Sequence, residues 1–171
     1  MNWSDLFVVA IIVIFGLIGI KNGFIYSIFK IVSFFVASIG TGGTLTGTGR
    51  YLKEHIPCIQ IIGVEPEDSP LLSKGQSGSH KLQGIGADFI PSILDASVYD
   101  RIADVGWKEA YALARDAASL EGLLVGISSG AVLAAAANIF KGPEYKGKNI
   151  ALLLADSGER YLSTDLFTAE L

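Results

Sequence analysis

The 171-residue chain has one cysteine, Cys58. No intrachain disulfide can form, which fits a reducing compartment best. Positive charge is also scarce: 13 Lys and Arg stand against 17 Asp and Glu, a net charge of −4. That balance argues against nucleic acid as a partner. The two histidines, His55 and His80, are far apart and poorly partnered. They read as surface or loop residues, and metal-ligand spacing is absent throughout. Two nucleotide signatures are missing as well. The Gly-x-Gly-x-x-Gly spacing fails from Gly40, where Leu45 takes the last glycine's place, and from Gly47, where Leu52 does. No Walker lysine follows the glycines.

Charge is also lacking in the first 40 residues, where only Asp5, Lys21 and Lys30 are ionised. The start, Met1-Asn2-Trp3-Ser4-Asp5, has no basic residue, unlike a signal peptide. Leu6–Ile20 is an unbroken run of apolar and glycine residues. As a helix it would be roughly 22 Å long, against a hydrocarbon core of roughly 30 Å. Trp3 as an interfacial anchor and a snorkelling Lys21 make it a membrane span; the alternative is a helix buried in a protein core. A second apolar run, Phe24–Ile39, is interrupted by Lys30, and Asn22-Gly23 reads as a turn between the two. A helical hairpin inserted through residues 6–39 is one reading. The other makes Phe34–Ile39 a strand, because the glycine-rich loop after it needs a strand to present it.

Beyond this point the chain is an acidic, ordinary soluble sequence alternating in the manner of an α/β fold. Thr44–His55 reads as a helix stopped by Ile56-Pro57. Ile59–Val64 and Asn149–Ala155 read as buried strands, and Leu123–Val125 as a short one. Helices are expected over Trp107–Leu120 and Gly130–Phe140, and a glycine-rich loop over residues 67–91.

Three loops carry candidate chemistry. In Gly40-Thr41-Gly42-Gly43-Thr44, followed by Leu45-Thr46-Gly47-Thr48-Gly49, glycines let backbone N–H groups converge on an anion while a helix start adds its dipole. A phosphate cup is one reading and a tight connection the other. In Gly126-Ile127-Ser128-Ser129-Gly130, the serines either cap a helix or offer a hydroxyl to a cofactor ring nitrogen. In Asp156-Ser157-Gly158-Glu159-Arg160-Tyr161, a polar loop follows the last strand. It faces a ligand crevice or forms an Asp/Glu–Arg network that holds the loop.

From about Phe34 to Leu171 the sequence resembles the C-terminal part of the O-acetylserine sulfhydrylase (cysteine synthase) family. The motifs are the Gly40–Thr44 loop, Gly63-Val64-Glu65-Pro66, His80-Lys81-Leu82-Gln83-Gly84-Ile85-Gly86-Ala87, Gly126–Ala131 and Ser157–Thr164, in order. Lys74, Ser79, Asp88 and Ala155 depart from the residues common there. The resemblance implies part of a pyridoxal-phosphate tryptophan-synthase-β-like fold, a mostly parallel sheet flanked by helices. It implies that Gly40, Thr41, Gly42, Gly43 and Thr44 hold the cofactor phosphate and that Ser128 bonds the pyridine nitrogen. It further implies O-acetylserine and sulfide as substrates and a cytoplasmic homodimer. Serine acetyltransferase, whose C-terminus enters the active site, is the implied partner. The family's Schiff-base lysine and its substrate-carboxylate loop lie in an N-terminal part without counterpart here, so no catalytic residue is assigned and the chain is expected to be inactive alone.

Residues 1 to about 36 are similar to the start of the colicin V production family of membrane proteins, on Met1–Leu6 and Gly19–Phe24. The expected organisation is therefore a chimera, with a transmembrane-like segment at 1–36 and a cysteine-synthase-like segment at 37–171. Its C-terminal segment would lie in the cytoplasm beneath the membrane; the alternative is a cytoplasmic protein. Two further alternatives are a membrane-anchored module that binds phosphate or a peptide, and a fragment of a colicin V production-like membrane protein; an intact cysteine synthase is a further candidate partner.

Overall fold

A computed structural model describes residues 32–168. The run Leu6–Ile20 and the second run as far as Ile31, with the membrane span expected there, lie outside the described residues. Internal contacts divide the chain into Met1–Val32 and Ser33–Leu171.

Four strands, β1 (Phe34–Ser38), β2 (Gln60–Pro66), β3 (Arg101–Val105) and β4 (Ile150–Leu152), form one sheet in the order β3-β2-β1-β4. Every pairing is parallel. β1 is central: Phe34 stands opposite Gln60 on one side and Ile150 on the other. Its composition explains this. Phe34-Phe35-Val36-Ala37 is apolar without alternation, as suits a strand covered on both faces. Val36 and Ala37 are fully buried.

The strand reading of Phe34–Ile39 is therefore the one observed, and a membrane segment running on to Ile39 is corrected. The backbone groups of these residues are spent on neighbouring strands, and the Ile39 N–H donates to the Val64 carbonyl at 3.0 Å. Such a segment cannot also be the second arm of a helical hairpin. Among the described residues, no helix is long and apolar enough to cross a membrane.

Helices α1 (Gly43–His55), α2 (Leu71–Lys74), α3 (Trp107–Glu121), α4 (Ile127–Ile139) and α5 (Asp165–Thr168) connect and cover the strands. Phe34, Val36, Ile62, Val64, Ala103 and Val105 share one core with the buried faces of α3 and α4. On the opposite face, Gly49 of α1 comes against the Ile61 side chain. α4 is buried on most of its circumference, and its alanines keep it thin enough to lie between the sheet and α3.

Several boundaries move. α4 starts at Ile127, three residues before Gly130, because an acceptor from elsewhere in the chain satisfies its first turn. Val125 makes only an isolated antiparallel bridge to Ser157 in place of a strand. β3 was not expected, although Arg101-Ile102-Ala103-Asp104-Val105 suits an edge strand, where polar side chains reach water. The loop over 67–91 contains α2, whose Leu72 and Ser73 N–H groups donate to the buried Glu65 carboxylate at 2.8 and 2.9 Å. The Glu65 of the Gly-Val-Glu-Pro motif is thus a cap for a helix six residues on.

Candidate functional site

The strand order reverses between β1 and β4, since the chain leaves β1 toward β2 and returns to the other side with β4. In an open parallel sheet, the carboxyl ends of two such strands diverge and leave a crevice. Here that crevice is a cavity of about 210 Å³. Gly40, Thr41, Gly42 and Thr44 line it from the end of β1, Ser128 from the start of α4 and Ala155 from the end of β4. Five of the six residues singled out by sequence therefore meet on one cavity, although Ser128 is more than 80 positions from the loop. The sixth, Gly43, opens α1 without lining the cavity.

The loop's shape depends on two glycines. A Cβ on Gly40 would stand 2.5 Å from the Gly84 carbonyl oxygen. Gly42 has φ +81°, and a Cβ there would stand 2.7 Å from that of Leu94. Gly42 is the N-cap of α1 and has no capping side-chain bond; the first helical bond runs from the Thr46 N–H to the Gly42 carbonyl at 2.9 Å. The N–H groups of Gly43, Thr44 and Leu45 thus begin the helix without intrahelical acceptors. Thr41 and Thr44 are exposed and add two hydroxyls. A glycine-narrowed cradle with unclaimed donors at a positive helix end fits an anion such as a phosphate ester.

The second turn is built differently. The Ser128 N–H donates to Asp156 Oδ2 at 2.9 Å, the Ser129 N–H to Oδ1 at 2.8 Å and Ser129 Oγ to Oδ1 at 2.5 Å. The cap of α4 is therefore Asp156, not the serines that begin the helix. The same contacts hold the 156–161 loop, through Ser128, Ser129 and Tyr161 and not through an Asp–Arg network. Burial pushes the Asp156 carboxyl up, but bonds from Ser129 Oγ, the two N–H groups and the Tyr161 hydroxyl outweigh it and hold the group below 3.8. Burial and the bond to Asp156 push the Tyr161 phenol up to about 12. Ser128 Oγ makes no hydrogen bond among the described residues; Ser128 is 7% exposed and lines the cavity. It is free to meet a ligand atom.

A larger cavity of about 460 Å³ adjoins the first, sharing Gly40, Thr41, Gly84 and Ile85. Its other wall is apolar, with Phe89, Pro91 and Ile93. Phe89 and Ile93 are 64% and 63% exposed, so its rim is open to solvent. Among the described residues no lysine lines either cavity. His80 is a loop residue as expected, but its Nε2 lies 2.8 Å from the Gly86 carbonyl, a contact that nothing in the spacing signalled.

Comparison with known proteins agrees with this geometry. The profile of the family described as pyridoxal-phosphate dependent enzyme matches residues 25–156. A cysteine synthase of Staphylococcus aureus is 50% identical over 140 residues, covering 81% of this chain and 44% of that protein. Cysteine synthase B of Campylobacter jejuni is 53% identical over 133 residues, covering 78% and 44%. Among solved structures, isoform 3 of the Entamoeba histolytica O-acetyl serine sulfhydrylase superposes with a TM-score of 0.80 at 36% identity, covering 88% of this chain and 43% of that one. The O-acetylserine dependent cystathionine beta-synthase of Helicobacter pylori gives 0.72 at 39%, covering 90% and 48%. The chain spans less than half the length of the curated relatives it matches. By the span and content of these matches, the chain belongs to the pyridoxal-phosphate dependent enzyme family.

Proposed function

We propose that this chain is the cofactor-phosphate-holding portion of a cysteine synthase, an enzyme that replaces the acetate of O-acetylserine with sulfide. The observation that carries the reading is the meeting of the Gly40–Thr44 loop and the unbonded Ser128 hydroxyl on one cavity. Gly40 through Thr44 hold the phosphate of pyridoxal phosphate with backbone N–H groups and the Thr41 and Thr44 hydroxyls. Ser128 places a neutral hydroxyl at the pyridine nitrogen, where a carboxylate would keep that nitrogen protonated. The cofactor, when bound, supplies the electron sink for β-elimination and replacement. The adjoining chamber, apolar on one wall and open at its rim, leaves room for a substrate beside the phosphate loop. An amine is needed to carry the cofactor and move the proton at Cα. The described residues offer none on either cavity, so the chain alone binds and orients without turning over. Its partners in this reading are a second copy of itself or an intact cysteine synthase, with the C-terminus of a serine acetyltransferase as a ligand of the assembled site.

The test is titration of pyridoxal phosphate into the full chain, followed by absorbance and calorimetry, with inorganic phosphate as competitor. Saturable binding that phosphate displaces, without cysteine formation from O-acetylserine and sulfide, is the expected result. No binding at millimolar cofactor refutes the reading, and turnover by the chain alone refutes its incompleteness.

The likeness of residues 1 to about 36 to a colicin V production protein and a membrane span over Leu6–Ile20 belong to the same proposal; the division expected at 36/37 falls inside β1 and is placed ahead of that strand, at Val32/Ser33, with the sheet-bearing segment on the cytoplasmic side. Alkaline carbonate extraction of membranes decides it: a chain that stays in the pellet is inserted, and release into the supernatant supports a cytoplasmic protein.

A further inference from the structure

Gly84 and Ile85 line both cavities, and the loop they form with Gly86 is tied to the end of β1. The Gly86 N–H donates to the Ile39 carbonyl at 3.1 Å, one residue before the phosphate loop begins. The Gly84 carbonyl stands where a Gly40 side chain would start. Whatever fixes Gly84–Gly86 therefore also fixes where Gly40 and Thr41 leave the sheet. The opposite side of Gly86 is held by His80, whose Nε2 is 2.8 Å from the Gly86 carbonyl. A carbonyl only accepts, so Nε2 carries the proton. Among the described residues, His80 Nδ1 is buried without a hydrogen-bond partner. The ring therefore commits a single donor, and that donor is spent on Gly86. Gly86 is held at its carbonyl by an imidazole and at its N–H by the end of the central strand.

We propose that His80 is a positioning residue of the anion cup: its Nε2–H latches the Gly86 carbonyl, and through the Gly86–Ile39 bond it sets the placement of Gly40 and Thr41. The cofactor part of this inference rests on the proposed function, whereas the latch itself does not. His80 does not touch the phosphate. Its effect reaches the cup through two backbone contacts.

The experiment compares the full chain with His80→Ala, His80→Gln and His80→Met. Gln and Met have similar length and shape, but only Gln offers an N–H near the place of Nε2. Amide hydrogen exchange without ligand reads the latch. The Gly86 and Ile39 amides are expected to exchange about tenfold faster in His80→Ala and His80→Met, as for one lost hydrogen bond, and near the wild-type rate in His80→Gln. The Gln60 amide, bonded to the Ser33 carbonyl at the opposite, amino end of the strands, reports general loosening and is expected to stay unchanged. Affinity for pyridoxal phosphate should fall about tenfold in the Met variant and be rescued in the Gln variant. Equal exchange in Gln and Met variants, or a rise at Gln60 as large as at Gly86, overturns the latch. If His80→Ala does not fold, the Gln–Met pair still decides. Wild-type chain that fails to bind the cofactor refutes the proposed function, while the exchange arm continues to test the latch.

Discussion

Helix α1 begins at Gly43 on N–H groups with no side-chain acceptor, whereas α4 begins at Ile127 on N–H groups already bonded to the Asp156 carboxylate. Both helix starts follow a glycine, both carry hydroxyl residues and both border the same cavity. A helix N-terminus leaves donors that something must satisfy. In α4 an acid from the end of β4 does so, which ties two distant segments and leaves the Ser128 hydroxyl over. In α1 nothing in the described residues does so, and glycines keep the approach clear. The contrast separates a turn that completes the fold from one that waits for an anion.

The hardest way to break the comparison is to close the open turn. Gly42→Ala puts a side chain at φ +81° and within 3 Å of Leu94. The left-handed backbone and the clash together are expected to cost about 3 kcal/mol in denaturant unfolding and to abolish phosphate-competed cofactor binding. Unchanged unfolding would show that the loop takes its shape from something other than this glycine.

Opening the closed turn is the next largest step. Asp156→Ala strands the Ser128 and Ser129 donors, at an expected cost of about 2 kcal/mol. It should also turn α4 into a second anion site, so that sulfate raises the melting temperature of the variant more than that of the wild type. The native carboxylate is held below 3.8, so its stabilisation is complete above that pH and disappears as pH falls through the folded value. Asp156→Asn should therefore flatten this part of the acid unfolding curve. Melting temperatures at pH 2–5 check it, and an acid limb as steep as the wild type's counts against the cap.

These two turns also mark how far the sequence could be read. The phosphate loop was legible because its composition is local: glycine and threonine at high density between an apolar run and a helix. β1 and β2 were legible for the same reason, as unbroken β-branched and aromatic runs. The Asp156 cap was not, since its partners are 27 and 28 residues away and neither segment signals the other. Ser128 as a cavity residue came from family resemblance; spacing alone left it among helix caps. β3 was missed because Arg101 and Asp104 dilute its apolar content, and an edge strand tolerates that. The Gly84 carbonyl against Gly40 is likewise tertiary, so the sequence showed only a glycine-rich loop where the fold has one tied to the phosphate loop.

A smaller perturbation trims the cap without removing it. The Tyr161 phenol, pushed up to about 12 by burial and by its bond to Asp156, stays neutral and bonded through the ordinary range. Tyr161→Phe is expected to cost about 1 kcal/mol below pH 10. A phenol with a raised value stabilises fully below its unfolded pKa and loses that contribution as pH rises toward 12, so the gap between variant and wild type should narrow at high pH. Ultraviolet titration should lose a phenol that ionises at about 12. A constant gap from pH 8 to 12 would detach Tyr161 from the cap.

Ser128→Ala is the smallest change to the fold and the sharpest test of the contrast. The Ser128 N–H belongs to the Asp156 cap and survives the substitution, while the hydroxyl has no bond among the described residues to lose. Unfolding free energy should therefore stay within about 0.5 kcal/mol of the wild type. A hydroxyl that serves the fold would behave otherwise, since removing a bonded buried group leaves its partner unsatisfied. Affinity for pyridoxal phosphate should fall about tenfold, while inorganic phosphate, which reaches only the α1 loop, should bind as before. That pair of readings separates the halves of the cavity: the loop recognises the anion, and Ser128 recognises what the anion is attached to. Loss of phosphate binding in Ser128→Ala would mean that the two turns act as one site.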